Sequence, residues 1–349
     1  MFRYAMLNVL VTAAAMASPI LVTGPDAGAA PQVTVFDRRT FQPIGFFSAY
    51  PTSMLGGVRV AAGDINADSI PDIITGAGAG SSEVRVFDGA GVSASGNAPS
   101  LLRSFEAYPG FTGGVFVAAG DVNGDSILDI ITAPGAGSGP HIKVFDGSTG
   151  ATLHSFLSYD PQFLGGVYVG AGDVDGDGFD DIITGAGTGA GAHVKVISGR
   201  DPTSQTGFFA FDPAFTGGVR VAAGDVNGDG RPDIITGAGA GGGGHVRVFD
   251  GKTQSALDSF FAFGPSFMGG VYVAGGSAIV SAGDGMRATV RIYDAPGGVP
   301  SHALFPYGDF TGGAFVATST DVPEPSTWFL CSGFFGLLWI AAVTRPRKR

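Results

Sequence analysis

GGVRVAAGDVNGDGRPDIITGAGAG, residues 217–241, decides how this chain is read. It opens on a glycine pair and runs through a short β-like stretch. It then crosses an acidic loop with Asp or Asn at every second position and leaves directly into the apolar run DIIT. Close relatives of the stretch begin at Gly56, Gly113 and Gly165. The first Asp of the acidic loop falls at Asp64, Asp121, Asp173 and Asp225, spacings of 57, 52 and 52 residues. Self-similarity at such a period is the signature of a stacked or radial repeat.

Each unit contains four short β-like runs separated by Gly-rich turns. In the fourth unit these are residues 219–223, 233–236, 245–249 and 259–263. The third run alternates, with Val246 and Val248 on one side and Arg247 on the other, as a half-buried strand does. Four strands in about 40–50 residues, repeated in tandem, predict the blade of a β-propeller. Gly-Gly-Val or Gly-Gly-Ala openings occur six times, at Gly56, Gly113, Gly165, Gly217, Gly269 and Gly312. The Val-x-Val-Phe-Asp run also occurs six times, near Val33, Val84, Ile142, Val194, Val246 and Val290. The first unit lacks its opening strand, and the last unit has only that strand. The expected fold is therefore all-β: six blades of four antiparallel strands (seven is the alternative), with N- and C-terminal strands sharing one blade. Closure of this kind removes free sheet edges.

Composition agrees. Sixty of 349 residues are Gly, 44% are hydrophobic, and the net charge is −11 with a single Cys. One Cys excludes a disulfide framework. A strongly acidic chain is not built to grip phosphates, so no nucleic-acid partner is expected. The hydrophobic content is too high for a disordered chain.

The acidic loops carry the chemistry. The four sets are Asp64, Asn66, Asp68 and Asp72; Asp121, Asn123, Asp125 and Asp129; Asp173, Asp175, Asp177 and Asp181; and Asp225, Asn227, Asp229 and Asp233. Alternate positions 1, 3 and 5 turn oxygens toward one point. The carbonyl at position 7 (Ile70, Ile127, Phe179, Arg231) adds another, and the Asp at position 9 closes the shell. Six or seven hard oxygens on a flexible loop suit Ca2+ better than Mg2+ or Zn2+. Up to four Ca2+ ions are expected, which would offset eight of the eleven excess negative charges. The third loop, with four carboxylates, should bind most tightly. Position 6 needs a sharp turn; it is Gly178 and Gly230 in two loops but Ser69 and Ser126 in the others, which should be strained.

An EF-hand would require Glu at position 12 and flanking helices. Here the loop exits into a strand. This pattern resembles the FG-GAP/VCBS family, the calcium-loop propeller repeats of integrin α-subunit heads and many bacterial surface proteins. The resemblance spans roughly residues 20–320 and is strong in four units. The fifth departs from it, because Gly276-Ser277-Ala278-Ile279-Val280 replaces the loop and no ion is expected there.

The two ends read differently. Residues 1–17 form an expected export signal: Arg3, an apolar run over 6–16, and Ala15-Met16-Ala17 as a small-x-small cleavage pattern. Residues 18–320 are assigned to the propeller and 321–349 to a tail. In the tail, Pro323-Glu324-Pro325 precedes an uncharged run over 328–343, which is followed by Arg345, Arg347, Lys348 and Arg349. Sixteen helical residues rise about 24 Å, which flanking Arg and Lys can extend to a bilayer by snorkelling. The three parts in order resemble the PEP-CTERM sorting signal of Gram-negative bacteria. That resemblance implies an exosortase-type processing enzyme as partner, at least transient membrane contact through the 328–343 helix, and delivery to the cell surface or extracellular matrix.

Other candidates weigh less. His141, His193 and His245 recur 52 residues apart on third strands, too far from the axis to share an ion. Gly237-x-Gly239-x-x-Gly242 lies between two strands with no helix behind it, so it is not a dinucleotide fingerprint. Recurring aromatics (Phe47 and Tyr50, Phe105 and Tyr108, Phe156 and Tyr159, Phe209 and Phe211) are assigned to blade core. Glu83, Glu106, His154 and His302 are scattered, and no catalytic constellation is read. The expected role is a calcium-binding module for a polysaccharide or surface-protein ligand, not an enzyme. A polysaccharide-active enzyme and a purely structural matrix protein are the alternatives.

Overall fold

The computed structural model describes residues 18–319 except 277, 295 and 296. The expected export signal and the C-terminal helix lie outside the described residues. Within them, no helix is long and apolar enough to cross a membrane.

The described residues fold into six four-stranded antiparallel sheets. Blade 2 consists of Val58–Gly63, Asp72–Ala77, Glu83–Phe87 and Leu101–Glu106. Blade 3 repeats this as Val115–Gly120, Asp129–Pro134, His141–Phe145 and Thr152–Leu157. Blade 4 is Val167–Gly172, Asp181–Ala186, His193–Ile197 and Gln205–Phe209. Blade 5 is Val219–Gly224, Asp233–Ala238, His245–Phe249 and Ala256–Phe261. Blade 6 is shorter: Val271–Ala274, Ile279–Ala282, Val290–Ile292 and His302–Leu304. Blade 1 is the shared one. Ala314–Thr318 pairs with Ile20–Pro25, which continues to Gln32–Asp37 and Pro43–Ser48. Inner strands of successive blades touch all the way round, and blade 6 meets Ala314–Thr318. The ring is closed with six blades, as the repeat count predicts.

Second strands are the most buried elements. Every residue of Asp72–Ala77, Asp129–Pro134, Asp181–Ala186 and Asp233–Ala238 is buried. Their Ile-Ile pairs, such as Ile234 and Ile235, point to opposite faces and so fill the two neighbouring blade interfaces at once. Fourth strands form the exposed outer edge.

Two sequence expectations need correction. The fourth strand of blade 5 is Ala256–Phe261, not 259–263. The core aromatic of blade 4 is Phe208, which packs on Phe249 with ring centroids 4.6 Å apart, while Phe209 is 49% exposed. The second error is one of register. Side chains in a strand alternate between faces, so a small slip in register moves the wrong residue into the core. Aligning Phe47, Phe105, Phe156 and Phe260 with Phe208 restores the same offset before the following aromatic at Tyr50, Tyr108, Tyr159, Phe263 and Phe211.

Blades are also stapled to one another through backbone. The amides of Gly28, Gly80, Gly137, Gly189, Gly241 and Gly285 donate to the carbonyls of Leu55, Thr112, Leu164, Thr216, Met268 and Thr311, at 2.7 to 3.1 Å. Each bond joins one blade to the segment entering the next.

Candidate metal centre: the acidic loops

The four acidic loops join the inner strand of blades 2, 3, 4 and 5 to the second strand, so all four lie at the same end of the ring. In each, the position 1 carboxylate organises the turn. Asp173 Oδ1 accepts from the amides of Gly176 and Asp177 at 2.7 and 3.0 Å, and its Oδ2 accepts from Gly178 at 3.0 Å. Asp121 and Asp225 do the same for residues 124–126 and 228–230. Asp64 accepts from Asp68 and Ser69. One oxygen of the position 3 side chain accepts from the position 5 amide, and one oxygen of position 5 accepts from the amide of position 7. The position 7 donors are Ile70, Ile127, Phe179 and Arg231. At positions 3 and 5 these Asx-type bonds use one side-chain oxygen and leave the second oxygen of each Asp without a backbone partner, whereas both oxygens of position 1 are engaged.

The loops differ in what gathers there. Carboxylate oxygens of Asp173, Asp175 and Asp177 lie within 4.8 Å of one another. The other loops carry Asn at position 3, and among the described residues none brings together a comparable trio. In blades 2 and 5 the Asn66 and Asn227 amides donate to Asp68 and Asp229 at 3.1 Å, which softens the local repulsion. Three carboxylates this close, without a cation, repel one another. Their donor chemistry, oxygen-only and anionic, fits a hard divalent cation of the Ca2+ type.

The position 9 carboxylates border the same loops: Asn123 and Asn227, at position 3, donate to Asp129 and Asp233 at 3.4 and 3.3 Å. Asp72, Asp129, Asp181 and Asp233 are buried first residues of the second strands. They clamp the loop shut, each accepting from the amide of position 2: Ile65, Val122, Val174 and Val226, at 3.0 to 3.2 Å. Asp72 and Asp129 also accept from Gly89 and Gly147 at 3.0 Å, tying in the turn after the third strand. These glycines admit no side chain, because a Cβ would run into the carbonyls of Pro71 and Leu128. Burial, then the charges around them, holds the Asp72 and Asp129 carboxyls up at about 6 and the Asp181 carboxyl at about 7.

Asp180 was not singled out from sequence, although the doubled Asp180-Asp181 is peculiar to the third loop. Its Oδ2 accepts from the Asp121 amide at 2.9 Å, and its own amide donates to the Asp121 carbonyl at 2.7 Å. Blade 4 thereby holds the first loop residue of blade 3. Arg231 makes a similar reach, donating to the Asp175 carbonyl at 3.3 Å. Neighbouring loops are thus one connected rim. The fifth repeat has only a short turn between Val271–Ala274 and Ile279–Ala282, as its sequence implied.

The recurrent histidines are structural. His141 and His245 hydrogen-bond Ser155 and Ser259 at 2.8 and 2.7 Å, and His193 stacks on Phe209 at 4.9 Å. Glu83 and Glu106 are less scattered than their sequence positions suggest, being directly opposed across two strands of blade 2. Glu83 is held by Arg85 and Ser104, and Glu106 by Ser82.

Residues 217–249 match the FG-GAP repeat family, a span covering the inner strand, acidic loop, second strand and third strand of blade 5. No curated protein matches the chain. Among solved structures, one described as "Structure of U3-55K" is similar, at 12% identity and a TM-score of 0.45, over 75% of this chain and 72% of that one.

Proposed function

We propose that this chain is an exported, surface-associated calcium-binding β-propeller acting as a binding or adhesion module in a cell envelope or exopolysaccharide matrix. The observation that carries this reading is the convergence of Asp173, Asp175 and Asp177 on one point. The same hydrogen-bonded turn recurs in blades 2, 3 and 5. Ca2+ would be held by positions 1, 3, 5, 7 and 9 of each loop, and its role there is to neutralise charge and pin the turn. The FG-GAP match over one repeat supports the same assignment. Export and anchoring rest on the sequence patterns of residues 1–17 and 321–349, including processing by an exosortase-type enzyme. A polysaccharide or a surface protein is the proposed ligand class.

The test is calorimetric. Titration of the chelated chain with Ca2+ should show up to four sites, the tightest weakened to the level of the others in Asp175→Asn. A site saturated at a hundredfold its Kd adds ~2.7 kcal/mol of stability, so the melt in millimolar Ca2+ should lie well above the melt in EDTA. Coincident melts would overturn the calcium assignment. A glycan array paired with a turnover assay on the same glycans should give binding without turnover.

A further inference from the structure

The second residue of each inner strand points to the ring's axis. In blade order these residues are Phe315, Arg59, Phe116, Tyr168, Arg220 and Tyr272. The two arginines stand three blades apart, on opposite sides of the axis. Each is sandwiched between aromatic neighbours. Arg59 Cζ lies 4.8 and 5.4 Å from the Phe116 and Phe315 ring centroids. Arg220 Cζ lies 5.1 and 4.9 Å from those of Tyr168 and Tyr272. Phe116–Tyr168 and Tyr272–Phe315 contacts, at 4.5 and 4.3 Å, complete the circle.

Two guanidinium groups are therefore built into the axis with a single carboxylate, Asp26, in their field and paired directly with neither. Arg59 Nε and both Nε and Nη1 of Arg220 are shut off from solvent and make no hydrogen bond. Arg59 Nη1 reaches the Ala77 carbonyl at 3.1 Å. Among the described residues neither arginine has an ion pair. The nearby carboxylate, Asp26, accepts instead from the Tyr272 hydroxyl at 2.6 Å. Burying unpaired charged donors is costly, and an anion at this point would remove the cost.

The space allows one. A cavity of about 60 Å3 lies at the axis, lined by all six side chains. Beside it a 740 Å3 cavity reaches Arg59, Phe116 and Tyr168 and is walled by Gly113, Leu164 and Gly165. This mouth belongs to the face opposite the acidic loops. Arg59 precedes Asp64 by five residues, roughly 16 Å along a strand, so an anion approaching here is kept from the carboxylate rim. A planar group suits slots between stacked rings and the flat fork of arginine better than a tetrahedral one.

We propose that this axial ring is a carboxylate-binding site, filled from the mouth opposite the acidic loops by the acid group of a ligand whose body occupies the larger cavity. The inference names a ligand chemistry for the binding role proposed above and rests on that reading. Its test is nevertheless separate, because calcium occupancy is measured in the same sample.

The experiment is titration calorimetry on the calcium-loaded full chain. Hexanoate and galacturonate are each compared with their neutral counterparts, hexanoamide and galactose. The expected result is one-to-one binding of at least one acid, ten times or more tighter than its neutral partner; the stronger arm identifies an apolar or a sugar body. Arg59→Gln and Arg220→Gln should each weaken that acid at least tenfold while the melt in Ca2+ is retained. Should either variant fail to fold, the acid-to-neutral ratio on the unsubstituted chain still decides. Equal affinity for acid and neutral forms, no binding, or full displacement by equimolar chloride (an adventitious ion only) would overturn the proposal. Vacant calcium loops beside an active ring would overturn only the calcium reading.

Discussion

In the blade 2 loop, Ala67 and Ser69 adopt φ of 61° and 67°. The equivalent residues of blades 4 and 5 are all glycine: Gly176 and Gly228 at the first position, Gly178 and Gly230 at the second. A Cβ in left-handed backbone costs about 1 kcal/mol. The Ala67→Gly, Ser69→Gly double variant relieves that strain in the folded loop and should therefore raise the melting temperature in EDTA. A melt left unchanged or lowered would contradict it. Strain at Ser69 and Ser126 was legible in the sequence, because position 6 of a calcium loop has a known demand. Position 4 was not, since one glycine among sixty attracts no notice until its φ is seen. The buried carboxyls make a second prediction at this scale. Asp72, Asp129 and Asp180 are held up at about 6 and Asp181 at about 7, chiefly by burial. Their folded values lie above the unfolded value of 3.8. The stability they contribute is thus complete below pH ~4 and lost as pH rises through 6 to 7. In EDTA the melting temperature should fall between pH 5 and pH 8, and Ca2+ should remove most of that fall. A chelated protein whose melt is flat or rising over this range would refute the argument.

At the scale of the element, the linkers between blades matter as much as the strands. Tyr50, Tyr108 and Tyr159 each close one blade and extend a hydroxyl into the next. The Tyr108 hydroxyl lies 2.9 Å from the Thr132 carbonyl and 2.6 Å from that of His141. Tyr50 and Tyr159 sit at the same junctions of their own blades. In blades 2, 3 and 5 the cation at the centre of the third strand returns the contact. Arg85, Lys143 and Arg247 donate to the carbonyls of Ala49, Ala107 and Ala210, between 2.6 and 2.9 Å. The alternation of residues 245–249 correctly marks Arg247 as pointing away from Val246 and Val248, but the neighbouring blade, which only the assembled ring supplies, turns it into a latch. Tyr108→Phe keeps the ring and deletes the hydroxyl, and should cost about 1 kcal/mol. Phe211 is the same position in blade 4, without the hydroxyl, so Phe211→Tyr should recover a similar amount. Urea midpoints of the two variants, read against the parent, should move in opposite directions; shifts of the same sign would dismiss the latch.

For the whole molecule, closure decides whether the blades can exist. Blade number and the shared first blade were legible because both follow from counting. Six glycine-pair openings and six third strands leave three strands over at the N-terminal end and one at the C-terminal end, and Thr23 keeps the same offset from Val33 as Thr132 from Ile142. The axial ring was not legible. Its members occupy one position in each repeat, but their identities change from Arg to Phe to Tyr, and the pattern has meaning only once six strands face one axis. The closing strand contributes to both features. Ala314–Thr318 pairs with Ile20–Pro25 from Leu21↔Thr318 to Pro25↔Ala314, and Phe315 is one wall of the ring. Removing it would expose the backbone edge of a fully buried strand and open the interface between blades 6 and 1, leaving an edge ready to pair with another chain. Repeat stability is a sum of neighbour contacts, and in a closed ring the loss of one strand undoes a blade and two interfaces together. A chain ending at Gly313 should therefore lose its cooperative melt and elute as aggregate in Ca2+, whereas a chain ending at Ser319 should melt as the parent does. Matching melts for the two truncations would mean that five blades and a fragment suffice, and that the ring is not the unit of folding.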